Sequence, residues 1–417
     1  MVDTFADQRN GIKTGQGRRL QSAFGRSFFM GGTIAAMIPY WRLSGYYFFY
    51  FAFIGAFSPY FSLYLQSVGR SAGQIAVLMS LMSVMRMLAP TMWGWLADRV
   101  GVRTPIVRLS AALSVAGFGG FLVSDAYGAQ FVSMAFLAFF WSAALPLVET
   151  LTFSHLAGRA GSYGNIRVWG SVGFIVAVLG LGYLLDDLPI RAVLWIALAT
   201  LGGILLCALT IPEAQRPPTH EEHVPLRTVL RRPEVRALLA ACFFMSAAHG
   251  ALYVFYSVHL VEHGYSKSVV GWMWTLGVVA EILVFMGMPR LVKAYSLRGI
   301  LVFSFAVAVL RFVLIGWGAE SLAVLLFAQI LHGATFGSYH AAAVAVVNDW
   351  FGVRHQAQGQ AFYGSISFGA GGMIGGLISG YTWEWIGPAW TYTAGSVFAL
   401  AGLIVLVAGW RVRSSVA

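Results

Sequence analysis

Ionisable side chains are scarce in this chain: 10% of its 417 residues are Asp, Glu, Lys or Arg, against about a quarter in a soluble globular protein. With 58% hydrophobic residues and a mean hydropathy of +0.73, there is too little polar surface to cover the fold in water. Lipid is the alternative solvent, and each crossing of it needs roughly 20 mostly apolar residues. Cysteine is nearly absent. Cys207 and Cys242 both lie in apolar stretches, which argues against a disulfide framework or a cysteine metal site. The chain has no GxSxG, no HExxH and no aspartate pair inside an apolar stretch, which speaks against an intramembrane enzyme. It also lacks a GxxxxGK[ST] phosphate loop, which speaks against an ATP-driven pump. An ion gradient is left as the energy source, and no metal or cofactor is implied.

What is present is a succession of long apolar runs. They fall at about 45–67, 73–97, 105–124, 130–155, 164–185 and 189–211. After a polar stretch they resume at 237–261, 267–289, 297–318, 321–348, 357–381 and 386–410. None shows the two-residue alternation of a barrel strand, so the sequence predicts an all-α membrane protein of twelve helices.

The net charge of +11 would suggest nucleic acid in a soluble protein, but the placement of the basic residues explains it as topology. With the N-terminus in the cytoplasm, 21 of the 27 lysines and arginines fall in cytoplasmic tails and loops. Only Arg70, Lys267 and Arg191 fall in the opposite loops, and Arg86, Arg167 and Arg311 lie inside spans. This positive-inside bias predicts a multi-pass protein of the inner membrane with both termini cytoplasmic. Adjacent Asp186 and Asp187 sit in an opposite-side loop and read as topological.

Residues 212–236 form the longest internal polar segment, charged and containing proline, as a linker between two bundles would be. The halves look related: Trp169-Gly170-Ser171-Val172-Gly173-Phe174 in the fifth span parallels Tyr363-Gly364-Ser365-Ile366-Ser367-Phe368 in the eleventh. The expected organisation is therefore a cytoplasmic N-terminal extension over 1–43, a six-helix bundle over 44–211, a cytoplasmic linker over 212–236, and a second six-helix bundle over 237–411. Parallel repeats place a solute site near the midplane, between the halves. Within the extension, the basic run and short apolar patch before Tyr40 read as a tail or as sequence upstream of the true start, with Met37 a candidate initiator.

The segment from Gly94 to Arg103 (GWLADRVGVR) resembles the major facilitator superfamily loop motif between helices two and three. Small residues there let helices approach, and Asp98 can cap or pair with nearby arginines such as Arg99 and Arg103. Tyr163 to Val172 (YGNIRVWGSV) is similar to the start of helix five in the branch containing lactose permease and 3-phenylpropionate permease. Gly264-Tyr265-Ser266, Leu276 to Glu281 (LGVVAE) and Ile330 to Phe336 (ILHGATF) extend the likeness, which spans most of the chain after residue 44. The resemblance implies a major facilitator fold of twelve transmembrane helices in two six-helix bundles, with the monomer as its default state. The function it implies is a secondary transporter whose partners are a small-molecule substrate, protons and the lipid bilayer, not nucleic acid.

An ionised side chain at a helix centre costs about 2.5–3.5 kcal/mol on insertion scales. Arg86, Glu149, Arg167, Glu281, Arg311 and His332 fall within spans, so they are expected to pair or to line a watered cavity. By resemblance to lactose permease, Glu149 and Arg167 become substrate-site candidates. Arginine suits that role because its planar fork holds a carboxylate or vicinal hydroxyls through two hydrogen bonds. The same resemblance makes Glu281, Arg311 and His332 the proton-coupling cluster. An arginine moving relative to a carboxylate changes its readiness to take a proton. Thr335 departs from the sugar transporter, which has its principal proton-binding glutamate at that place, so coupling falls to Glu281 first and Glu149 second. Arg86 and His249 complete the candidate substrate residues; His249 could equally be an interhelical hydrogen-bond donor, as His340 is taken to be.

The expected activity is proton symport of a small aromatic or other carboxylic acid. A neutral oligosaccharide or nucleoside is the alternative cargo. Proton-antiport drug exporters usually carry a Gly-Pro motif in the fifth span, and WGSVGFIVAVLGLGYLL has no proline.

Overall fold

The computed structural model describes residues 38–156, 162–214 and 227–410. Twelve helices in it are long and apolar enough to cross a membrane: α1 Tyr40–Ser67, α2 Ala72–Val100, α3 Thr104–Val123, α4 Tyr127–Leu156, α5 Tyr163–Asp187, α6 Ala192–Thr210, α7 Pro233–Glu262, α8 Lys267–Ala294, α9 Leu297–Trp317, α10 Leu322–Gly352, α11 Gln358–Trp385 and α12 Pro388–Gly409. The predicted tail before residue 38, Met37, Arg159, residues 215–226 of the predicted linker and the residues after Trp410 lie outside the described residues. Of the remaining linker, Arg227–Leu230 forms one helical turn.

Helix ends follow local chemistry. Ser71 and Gln74 form a reciprocal capping box that starts α2, and Ser266 and Ser296 cap α8 and α9 through their hydroxyls. Gly101, at φ 81°, ends α2 in the left-handed conformation that L side chains avoid. This extends the helix through Asp98, Arg99 and Val100, beyond the apolar run at 73–97. Gly94, Asp98 and Arg99 belong to the last two turns of α2, and only Gly101 to Arg103 connect it to α3.

The packing repeats itself after six helices. In the first half α1 packs on α5 and α6, α3 on α4 and α6, and α2 on α4; in the second, α7 packs on α11 and α12, α9 on α10 and α12, and α8 on α10. The contacts between halves obey the same symmetry, α2 against α11 and α5 against α8, with α1 against α7 between them. The likeness between Trp169–Phe174 and Tyr363–Phe368 falls on α5 and α11, which this symmetry makes equivalent.

α1 and α7 form the interior, with 72% and 78% of their apolar windows buried. Without a hydrophobic force between helices in lipid, close approach depends on small residues. A methyl group on Gly55 of α1 would stand 2.6 Å from the Phe174 carbonyl of α5, and one on Gly173 would collide with the Phe48 carbonyl. On the outer faces Trp195, Leu206, Phe303 and Ile404 are exposed, as lipid contact requires.

Candidate functional site

A cavity of about 650 Å³ lies between the halves, walled by α1, α5, α7, α8, α9 and α10. A second compartment of about 270 Å³ adjoins it toward α2 and α11. The two share Ile54, Ser58, Tyr253 and Phe336 as walls. Both are strongly aromatic, the larger through Phe51, Tyr163, Trp274 and Phe285, the smaller through Phe53, Phe57, Trp141 and Phe368.

Arg167 of α5 and Glu281 of α8 both line the larger cavity. The Arg167 guanidinium lies over the Phe51 ring at 4.0 Å and near Tyr47 at 5.7 Å, a cation–π arrangement. Gly170, one turn on, makes room for it, since a methyl there would meet both Arg167 Nη1 and the Phe51 ring at 2.7 Å. Among the described residues the Arg167 fork donates no hydrogen bond, so its N–H groups are available to a ligand. Glu149 is not in the lining; its Oε1 accepts from Tyr163 at 3.2 Å, and Tyr163 lines the cavity.

Glu281 pairs with His332, Oε1 to Nε2 at 2.6 Å. Glycines permit that closeness. Gly277 leaves space where a methyl would stand 3.1 Å from the His332 ring, and Gly333 lies against the Ala280 carbonyl. Immediately after His332, Gly333–Ser338 widens into a π-helical turn, a feature frequent at functional sites. His332 Nδ1 is buried without a partner.

Arg311 is fully buried, and its partners are neutral. Nε donates to the Ala328 carbonyl at 2.8 Å, Nη2 to Gln329 Oε1 at 2.8 Å and Nη1 to Thr335 Oγ1 at 3.1 Å. Nη1 also lies 3.5 Å from His249 Nε2. Because His249 Nδ1 must donate to the Met245 carbonyl at 2.8 Å, Nε2 carries the lone pair that faces Arg311. His249 thus sits at the bend of α7, buried behind the cavity wall as a support for Arg311.

Of the six charged or titratable positions expected at depth, only Arg311 and His332 are buried. Glu149, Arg167 and Glu281 are half-buried, and Arg86 is exposed into the smaller compartment. Arg86 owes its exposure to the adjoining compartment that it lines. Near the end of α2, Arg99 lies over Trp95 at 5.3 Å, and Asp98 is exposed. Arg103 contributes its backbone N–H, which with that of Thr104 donates to Glu213 Oε2 at 3.0 and 2.8 Å.

Sequence reasoning missed Gln329 as an arginine partner and undervalued His340. His340 lines the cavity, bonds Tyr363 at 2.9 Å and stacks on Phe336, which stacks in turn on His332. The spacing of four residues between His332, Phe336 and His340 was the available signal. It also missed the ties between halves at the end away from the basic residues. There Asp186 accepts from Lys267 and Ser268 N–H at 2.8 and 3.2 Å, Gln66 donates to Glu262 at 2.9 Å, and Gly73 N–H donates to Glu384 at 3.2 Å. The Tyr60 hydroxyl, which donates to the Val178 carbonyl of its own half at 2.7 Å, also lies 3.2 Å from the Lys267 carbonyl across the halves.

A family model described as "MFS_1 like family" matches residues 40–394. The chain is 29% identical over 359 residues to a probable 3-phenylpropionic acid transporter of Escherichia coli, covering 83% of this chain and 92% of that one. It is 26% identical to the maltose permease of Geobacillus stearothermophilus, covering 87% and 92%. A crystal structure of the nucleoside transporter NupG superposes with a TM-score of 0.75 at 16% identity, over 89% of this chain and 99% of that one. With twelve spans, two repeated halves and a solute-sized cavity between them, the chain belongs to the MFS_1-like family of major facilitator transporters.

Proposed function

We propose that the protein imports a small aromatic carboxylic acid together with a proton, by alternating access of the central cavity, across an inner membrane in which both termini face the cytoplasm. The observation that carries this reading is Arg167, a guanidinium on an aromatic wall whose fork has no hydrogen-bond partner among the described residues. A carboxylate satisfies that fork with two charge-assisted bonds, and the surrounding rings fit an aryl group. The similarity to a probable 3-phenylpropionic acid transporter points the same way. The ties at the end away from the basic residues, together with a cavity that reaches the first turn of α5 at Tyr163 and Gly164, support a state open toward the cytoplasm.

Glu281 is the proposed proton carrier. Neutral acceptors satisfy Arg311, so Glu281 can gain or lose a proton without leaving that buried cation unpaired. His332 can either donate its Nε2 hydrogen to the carboxylate or accept one from the carboxylic acid.

The test uses proteoliposomes with an imposed inward proton gradient and labelled 3-phenylpropionate. Wild-type protein should accumulate the acid and alkalinise the outer medium, while Glu281→Gln should exchange the acid without accumulating it. Accumulation by Glu281→Gln would remove its proton role. No transport of the acid, with transport of maltose or a nucleoside, would replace the acid by a neutral cargo.

A further inference from the structure

The smaller compartment holds a cation that the proposed mono-acid does not need. Met79, Met82, Ser83 and Arg86 recur along α2 at three- and four-residue spacing, which puts them on one helix face, and all four line this space. Arg86 is exposed into it, and among the described residues its guanidinium has neither an ion-pair nor a hydrogen-bond partner. No acidic side chain lines the compartment. A second polar group is also idle: Ser80 is 4% exposed, lines the same space, and its hydroxyl is buried without a hydrogen bond. The rest of the lining combines the rings of Phe53, Phe57, Trp141 and Phe368 with the neutral hydroxyls of Ser58, Ser83, Ser246 and Tyr253, none of which offers Arg86 a counter-charge.

An unpaired charge at membrane depth is unfavourable unless water or a ligand meets it. The compartment opens onto the larger cavity across Ile54, Ser58, Tyr253 and Phe336, which places Arg86 and Arg167 at two ends of one aromatic-walled space.

We propose that this compartment is a second anion subsite, in which Arg86 and Ser80 hold a distal carboxylate of the cargo. The preferred substrate is then an aromatic dicarboxylic acid, with one carboxylate on Arg167, the ring between the compartments and the second carboxylate on Arg86. This rests on the aromatic-acid reading of the same cavity and narrows it.

The experiment compares binding of 3-phenylpropionate and 3-(4-carboxyphenyl)propionate to purified wild type, Arg86→Gln and Ser80→Ala by isothermal titration. Wild type should bind the di-acid about tenfold or more tightly than the mono-acid, as one added charge-assisted contact gives. Arg86→Gln should reduce that ratio to near one, and Ser80→Ala should reduce it in part. Equal binding of the two acids by wild type, or an unchanged ratio in Arg86→Gln, overturns the second subsite and leaves the proposed function standing. Binding of neither acid overturns both. Because the readout is a ratio within each variant, a general loss of folded protein does not imitate it.

Discussion

Asp186 should act as a latch between the two halves. It lies in the last turn of α5, yet its carboxylate accepts from the first two N–H groups of α8 at 2.8 and 3.2 Å. The N-cap of α8, Ser266, satisfies only the Val269 N–H. Asp186→Ala therefore strips two backbone donors of their partners and removes a negative charge from a helix N-terminus. Losing a capping side chain costs about 0.5–2 kcal/mol. Asp186 is exposed, so water replaces part of what is lost and about 1 kcal/mol is the appropriate figure. That amounts to roughly a fivefold shift in the equilibrium between tied and parted halves. Asp186→Asn keeps an acceptor but not the charge and should shift it less.

The assay is a spin-label distance measurement between cysteines at Leu188 and Glu320, which flank this end on opposite halves, in a background with Cys207 and Cys242 replaced by alanine. Asp186→Ala should enlarge the long-distance population about fivefold while leaving the short distance in place. Complete opening is not expected, because Tyr60, Gln66 with Glu262, and Gly73 with Glu384 still join the halves. A distribution identical to wild type would refute the latch.

Two further outcomes test the packing beneath the site. Arg311→Lys keeps the charge but loses the planar fork, leaving at least one of its neutral acceptors without a donor. Hydrogen bonds to charged groups contribute about 1.5–3 kcal/mol, so the melting temperature in detergent should fall by several degrees, and an unchanged value would refute the cage. Gly173→Leu pushes a side chain into the Phe48 backbone of α1, whereas Gly180 on the same helix has nothing near its missing Cβ. Gly173→Leu should lower thermal stability by about 1–3 kcal/mol and Gly180→Leu by much less, and equal effects would contradict the α1–α5 packing.

The number of helices was legible because a span of about 20 apolar residues is a one-dimensional signal, and the basic residues punctuate it. Helix ends were less so. The last turns of α2 carry Asp98 and Arg99, which hydropathy assigns to a loop, while the left-handed Gly101 decides where the helix stops. In the site, Glu281 and His332 were read together by resemblance and do meet at 2.6 Å. The partners of Arg311 were not legible. A buried arginine suggests a carboxylate, but the acceptors are Gln329, Thr335 and a backbone carbonyl that becomes reachable only through helix packing. Asp186 had no sequence signal at all. Its partner is 81 residues away, and the bond exists because α5 and α8 pack together across the halves.

That α5–α8 pair supplies a mechanical route from site to latch. Arg167 and Asp186 are on one continuous helix, about 28 Å apart at 1.5 Å per residue, and Glu281 lies about 21 Å along α8 from Lys267. On the proposed reading, cargo neutralises a charge on α5 and a proton neutralises one on α8, both within the same cavity. Only when both are neutral does that wall lose the charges that favour keeping it open to water. Closure of the cavity draws the α5 and α8 walls together, and rigid helices carry that rotation to their far ends. There the Asp186 carboxylate must leave the Lys267 and Ser268 amides, because its two bonds tolerate little separation. Gly182 and Gly271 flank the Tyr60 hydroxyl at that end, where methyl groups would come within 2.6 and 2.9 Å of it. The contact is therefore too close-packed to slide and must open as a unit. Coupling then needs no chain of residues between site and latch, because two helices each carry one element of both.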